Sequence, residues 1–180
     1  IEIQQYSELS GKDTKFEITG HLGKVMTESI SVAKTVVYNI LSEKTRKDIA
    51  IKTKELDYHI HCCEGAVPKD GPSAGTAISV AMLSCILKVP ISNKIAITGE
   101  IDIHGYMHAI GGLSDKVWGA QLAGIEYVFC PKENEEDMNR ILDKVWYTGS
   151  TKIILANHIC DEELITKVFT KNIKNKLIKK

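Results

Sequence analysis

The chain has 180 residues, with 23 Lys+Arg against 23 Asp+Glu and no formal net charge. At 43% hydrophobic and 26% charged it has the composition of an ordinary globular domain, which excludes collagen, a long coiled coil and wholesale disorder. A chain of this length buries roughly 70% of its unfolded surface, and its charge balance gives no reason to expect a nucleic-acid or membrane partner.

Glu2, Gln4 and Gln5 interrupt any apolar start, so no signal peptide is expected. The first residue is Ile1 rather than Met, which reads as a piece of a longer protein. Ser10 to Asp13 reads as a turn and Thr14 to Ile18 as a short strand. From Val25 to Leu41, Met26, Ile30, Ala33, Val37 and Ile40 recur at helical spacing. Leu56 to His61 alternates and reads as a strand. Pro68 to Pro72 must be irregular, because two prolines and Gly71 break helix and strand alike. Gly71 to Leu87 carries no charge, and its serines, Thr76 and Pro72 argue against a membrane span; the spacing predicts a buried helix over 73–87. Lys94 to Thr98 reads as a strand and Ile101 to His108 as a tight hairpin. Ser114 to Ala123 is helical and stops at Gly124. A strand at Tyr127 to Cys130, a charged helix from about Glu133, a strand at Lys152 to Leu155 and a helix at Asp161 to Phe169 complete the order. Helices and strands interleave, so the class is α+β, with α/β-like order around a central mixed sheet. The domain is expected over residues 1–170. Residues 171–180 form a basic tail with five lysines and no acid, read as a solvated, fraying end.

Five cysteines at irregular spacing point to free thiols in a reducing compartment. Each reads as a small hydrophobe.

The segment Glu64-Gly65-Ala66-Val67-Pro68-Lys69-Asp70-Gly71-Pro72-Ser73-Ala74-Gly75 carries the most chemistry. A constrained loop delivers Ser73 to the start of an uncharged helix, where free backbone N–H groups suit an oxyanion. The bland alternative makes Ser73 a helix N-cap. Gly71 to Gly75 matches G-x-S-x-G by letters, but the nucleophile elbow follows a strand directly, and here a proline-rich loop intervenes.

A serine nucleophile needs a base. Gly111-Gly112-Leu113-Ser114-Asp115-Lys116 opens the next helix. Lys116 lies about 60° from the stripe formed by Leu113, Val117, Ala120 and Gly124, at the edge of the buried face. Such a lysine is expected to be partly desolvated; the bland alternative is a surface lysine. Lysine serves as a base only when uncharged, and burial can lower a lysine pKa by about 3–5 units. Thr98, at a strand end beside Gly99-Glu100, offers a hydroxyl to orient the amine.

These residues resemble the proteolytic domain of the A-type Lon proteases. Pro68 to Gly75 is similar to the family's nucleophile motif. His21-Leu22-Gly23-Lys24-Val25-Met26-Thr27-Glu28-Ser29 resembles an early Leu-Gly-x-Val-Met-x-Glu-Ser segment. His59-Ile60-His61 before Glu64-Gly65-Ala66, Thr98-Gly99-Glu100-Ile101, and Gly111-Gly112-Leu113 with Lys116 follow in the family's order. Lys116 lies 43 positions after Ser73, a spacing similar to the family's. The resemblance covers roughly Ile18 to Phe169. It implies a Ser–Lys dyad endopeptidase with Ser73 as nucleophile and Lys116 as general base. It also implies that Thr98 contacts the lysine amine, that Asp70 helps set the loop state, and that His59 and His61 line the site. Cys62 and Cys63, and Ser114-Asp115, depart from the family pattern without removing either dyad member.

The same resemblance implies unfolded protein substrates, a homo-oligomer (a hexameric ring in the full-length protein), and a cytoplasmic or mitochondrial-matrix location. No cofactor is expected in this chain. No G-x-x-x-x-G-K-[ST] is present, so ATP and Mg are expected only in an upstream ATPase module. Three competing readings stand beside the dyad. One is a catalytically silent ring-assembly module. Another is a Ser–His–acid site using His59, His61, His104 or His108. The third is a metal on His59, His61 and Cys63, whose spacing of about 6.6 Å along a strand suits one ion poorly.

Overall fold

In the computed structural model of the chain, which describes residues 1–6, 15–52 and 57–178, the polar start forms a strand. β1 (Glu2–Tyr6) pairs antiparallel with β3 (Asp57–His61), and β2 (Phe16–Thr19) lies parallel along the other edge of β3. β3 is thus central, with Tyr58 and Ile60 buried. The expected turn at Ser10 to Asp13, and the expected strand ends Thr14 and Leu56, lie outside the described residues.

Two long helices cover this sheet. α1 (Lys24–Ile40) turns Met26, Ile30, Ala33, Val36, Val37 and Ile40 inward, as its periodicity predicts. α2 (Glu43–Lys52), which the sequence reading did not find, is capped by the Ser42 hydroxyl on the Thr45 N–H at 3.2 Å. α3 (Gly75–Leu87) packs on α1 and is buried along most of its length. Each fully buried aliphatic side chain in this layer contributes about 1.5–3 kcal/mol. α3 stops at Lys88, whose left-handed φ of 52° turns its N–H back to Cys85 and Ser84.

A second sheet is wholly parallel. β7 (Tyr127–Pro131) lies between β4 (Ile95–Ile97) and β8 (Lys152–Ala156). β5 (Glu100–Ile101) and β6 (Met107–His108) form a separate two-stranded hairpin. α4 (Leu113–Leu122) packs against β7 through Leu113, Val117 and Val128. A 3-10 turn (Lys132–Asn134), α5 (Glu135–Leu142) and α6 (Glu162–Val168) complete the element order, with a last 3-10 turn at Lys174–Lys176. The class is α+β. The strands are divided among three sheets rather than gathered in one central sheet: α1 and α2 intervene between β2 and β3, and the β5–β6 hairpin and α4 between β4 and β7.

The cysteines are free. Cys62 and Cys130 are buried, and burial pushes the Cys130 thiol up to about 12, so it stays protonated and inert. Cys63 is exposed and is not the small buried hydrophobe expected.

The basic tail is not a fraying end over residues 173–178. Ile173 and Leu177 are buried between the lysines, and Leu177 bridges Leu41. The Ser42 N–H donates to the Lys176 carbonyl at 2.9 Å and the Ile178 N–H to that of Ile40 at 2.8 Å. Lysine content hid two apolar anchors spaced by four. Ile173→Ala is expected to destabilise the protein by about 2–5 kcal/mol in denaturant unfolding; a solvated tail would give a change within about 0.5 kcal/mol.

Candidate active site

Ser73 stands two residues before α3 rather than inside its first turn. The reason is a competition for its carbonyl. In a helix that oxygen would accept an N–H four residues on. Here it accepts the Gly99 N–H at 2.8 Å and the Thr98 hydroxyl at 3.2 Å. The Gly75 N–H closes a tight turn onto the Pro72 carbonyl at 3.0 Å, and Ala74 becomes the N-cap with no side-chain cap bond. The Ser73 hydroxyl is therefore not spent on capping.

Thr98 and Gly99 are held in turn. The Thr98 N–H donates to Phe129 on β7 at 2.9 Å, and the Gly99 carbonyl accepts from the Thr76 N–H and hydroxyl, both at 3.1 Å. This places β4 beside the turn. Gly75 lets the following strand, β5 (Glu100–Ile101), come close, because a Cβ there would come within 2.9 Å of Ile101 Cγ2.

Asp70 anchors the preceding loop. α1 begins after Gly23, with no acid in its first turn and no side-chain cap of its own. Asp70 Oδ1 supplies the missing acceptor, taking the Met26 N–H at 3.0 Å and the Gly71 N–H at 2.9 Å. The carboxylate lies flat over Gly23, where a Cβ would come within 2.4 Å of Oδ2. Backbone bonds from Gly23 to Lys69 (2.8 Å) and from Lys69 to His21 (3.1 Å) complete the docking. A helix starting on glycine without a nearby acid is the sequence signal that its cap comes from elsewhere.

Ser73, Thr98 and Lys116 line one pocket of about 240 Å³, walled by Ala77, Ala96, Ile97 and Val128. Three separate elements bring them together: the turn before α3, the end of β4, and α4. Lys116 lies one turn past Gly112, whose φ of 69° starts α4. Its N–H donates to the Gly112 carbonyl at 3.2 Å. Ser73 is half-buried but Lys116 is exposed, so the partly desolvated amine expected from the helical wheel is not enclosed by this chain. The wheel put it at the edge of the buried stripe, and the neighbouring wall there is open. Among the described residues no hydrogen bond joins Ser73 Oγ to Lys116 Nζ. Catalytic contacts are often long before substrate binds.

His59 and His61 do not reach this pocket. Both ring nitrogens facing Thr19 lie 2.8 Å from its Oγ1, and His59 Nδ1 lies 3.8 Å from Glu17. They line a separate depression with Glu2 and Gln4. Alternation put them on one strand face, and that face lines its own depression rather than the Ser73 pocket. Among the described residues no histidine lines the Ser73 pocket, and no cluster of three or more His, Cys, Asp or Glu is suited to a metal.

Residues 3–170 match the family model described as the Lon protease (S16) C-terminal proteolytic domain. The chain belongs to this family. It is 42% identical over 128 residues to a Lon protease of Fervidobacterium nodosum, covering 71% of this chain and 15% of that relative. Over 148 residues it is 42% identical to Lon protease homolog 2, peroxisomal, of Caenorhabditis briggsae, covering 82% and 18%. With a Lon protease of Buchnera aphidicola it shares 44% over 136 residues, covering 74% and 17%. The chain thus spans less than a fifth of these relatives. Among the described residues no helix is long and apolar enough to cross a membrane.

Asp70→Ala removes the acceptor from α1. It is expected to cost about 0.5–2 kcal/mol in denaturant unfolding, while Asp70→Asn, which keeps a side-chain oxygen, costs less.

Proposed function

We propose that this Lon-type proteolytic domain hydrolyses peptide bonds through a Ser73–Lys116 dyad. The single observation that supports it is the shared pocket: a serine hydroxyl free of capping duty and a lysine on a separate helix, with Thr98 in the same lining. The absence of histidine from that lining favours lysine over a Ser–His–acid arrangement.

In this reading neutral Lys116 takes the Ser73 Oγ proton as the oxygen attacks the peptide carbonyl. The N–H groups of Ser73 and Ala74, which take no other acceptor among the described residues, hold the oxyanion in this reading. The lysine then gives its proton to the departing amine, leaving an acyl-enzyme. Water attacks that ester with Lys116 again as base, and the serine proton returns. Thr98 Oγ1, held on the Ser73 carbonyl at 3.2 Å, keeps β4 in register with the nucleophile. Asp70 acts at a distance by fixing the loop. Ala77, Ala96, Ile97 and Val128 form an apolar wall, and a bound peptide covers the open side and completes desolvation of the amine.

The larger setting follows the family. We infer unfolded protein substrates, a homo-oligomeric ring, an ATPase module elsewhere in the full-length protein, and a cytoplasmic or mitochondrial-matrix location.

Ser73→Ala is expected to abolish hydrolysis of an unfolded protein substrate, and Lys116→Ala to lower it by about 10²–10⁴-fold with the fold retained by circular dichroism. A serine-directed activity probe labels Ser73 in the wild type and fails in Lys116→Ala. Full turnover in either variant would exclude the dyad, and a wild type that neither labels nor hydrolyses would be the silent ring-assembly module.

A further inference from the structure

Between Thr98 and Lys116 the chain runs through the β5–β6 hairpin and returns to the start of α4. At the end of β6, the His108 ring lies between two carboxylates from different elements. Nε2 is 3.2 Å from Asp102 Oδ2, and Nδ1 is 3.4 Å from Glu133 Oε1.

Both acids are fixed by the backbone. Asp102 Oδ1 caps the hairpin turn, accepting the His104 N–H at 2.8 Å and the Tyr106 N–H at 3.0 Å. Glu133, in the 3-10 turn after β7, accepts the Ala109 N–H on Oε2 at 2.7 Å. Its neighbour Asn134 is buried and holds Ile110 from both sides, at 3.0 Å to the N–H and 2.9 Å to the carbonyl. Gly111 and Gly112 follow at once, and then α4 with Lys116.

A neutral imidazole has one N–H and one lone pair. It can donate to one carboxylate only, and its lone pair then faces the other. The imidazolium donates to Asp102 and presents its second N–H and its charge to Glu133, an ion pair at 3.4 Å. Two fixed acids on opposite sides of one ring therefore select the charged form. Among the described residues no other charged side chain lies within ion-pair distance of this ring.

We propose that His108 is a positioning residue: a proton-dependent clasp between the β5–β6 hairpin and the 3-10 turn that fixes the segment from which α4 and Lys116 spring. Its effect on turnover rests on the Ser73–Lys116 reading, whereas the clasp itself does not. The electrostatics agree in sign. The Asp102 hydrogen bond holds His108 above the ordinary histidine value against partial burial, and Glu133 adds to it. Burial works to raise Asp102, but the Tyr106 N–H and His108 hold it below the usual carboxylate range. Glu133 is held low chiefly by the Ala109 N–H, with His108 assisting. A raised histidine contributes stability that is complete below about pH 6.5. That stability is lost as pH rises through the higher folded value. The ring is 43% exposed on its side chain, so the contribution is small and salt-sensitive.

The test follows histidine Cε1–H and backbone amide resonances against pH. His108 is expected to titrate above the ordinary histidine value, and the amides of 109–116 to move with the same midpoint. Glu133→Gln keeps an acceptor for the Ala109 N–H but removes a charge; it is expected to lower the His108 midpoint and to flatten the fall in thermal unfolding temperature on the alkaline side. A His108 midpoint at or below the ordinary value, or amides of 109–116 that ignore it, would overturn the clasp. These readouts need no turnover, so failure of the dyad leaves them standing, and their failure leaves the dyad standing.

Discussion

The carbonyl of Ser73 is the constraint on which the site depends. By accepting the Gly99 N–H and the Thr98 hydroxyl, it leaves the helix ladder and ties the Ser73 turn to a strand from the other sheet. Had that oxygen joined α3, Ser73 would be one more residue in a buried helix. Instead the helix starts at Gly75, and the side chain before it opens into a pocket. The tie is itself secured at one remove, since Thr98 bonds to Phe129 and Thr76 bonds to Gly99. A single net buried hydrogen bond is worth about 0.5–1.5 kcal/mol; here several share the task of setting one residue's position.

The loop before the serine obeys a similar economy. α1 lacks an acceptor at its own start, and Asp70 lacks any helix of its own to cap. Their meeting satisfies both, and the bare backbone of Gly23 lets the carboxylate lie close. Loop position and helix integrity are thereby the same fact, which is why the Leu22-Gly23 stretch and the Asp70-Gly71-Pro72 stretch belong to one site although they are far apart in the chain.

Much of this was legible in the sequence, for physical reasons that differ by element. The apolar stripe of α1 and the uncharged run of α3 announce burial, and Ser73, Thr98 and Lys116 were found by residue type and order. β1 was not, because its alternation of Glu2, Gln4 and Gln5 with Ile3 looks like a polar terminus until β3 is there to pair with it. α2 was missed because its Glu, Lys, Arg and Asp give no strong apolar face; its cap at Ser42 was the only local sign. Strand alternation placed His59 and His61 together correctly but says nothing about which way that face looks. Helical periodicity likewise set Lys116 beside the core without telling how open its surroundings are. The paired acids around His108 were invisible, since Glu133 comes from a turn 25 residues further along.

Parallel pairing of β4 with β7 carries a consequence for biosynthesis. Among the described residues β4 has no other partner in its sheet, so the Thr98 N–H has no strand acceptor until Phe129 has been translated and has found its neighbour. Contacts of such sequence separation form late, because loop closure must precede them. A chain emerging from the ribosome would therefore carry Ser73 well before it carried the finished pocket around it, which closes only once the second half has folded.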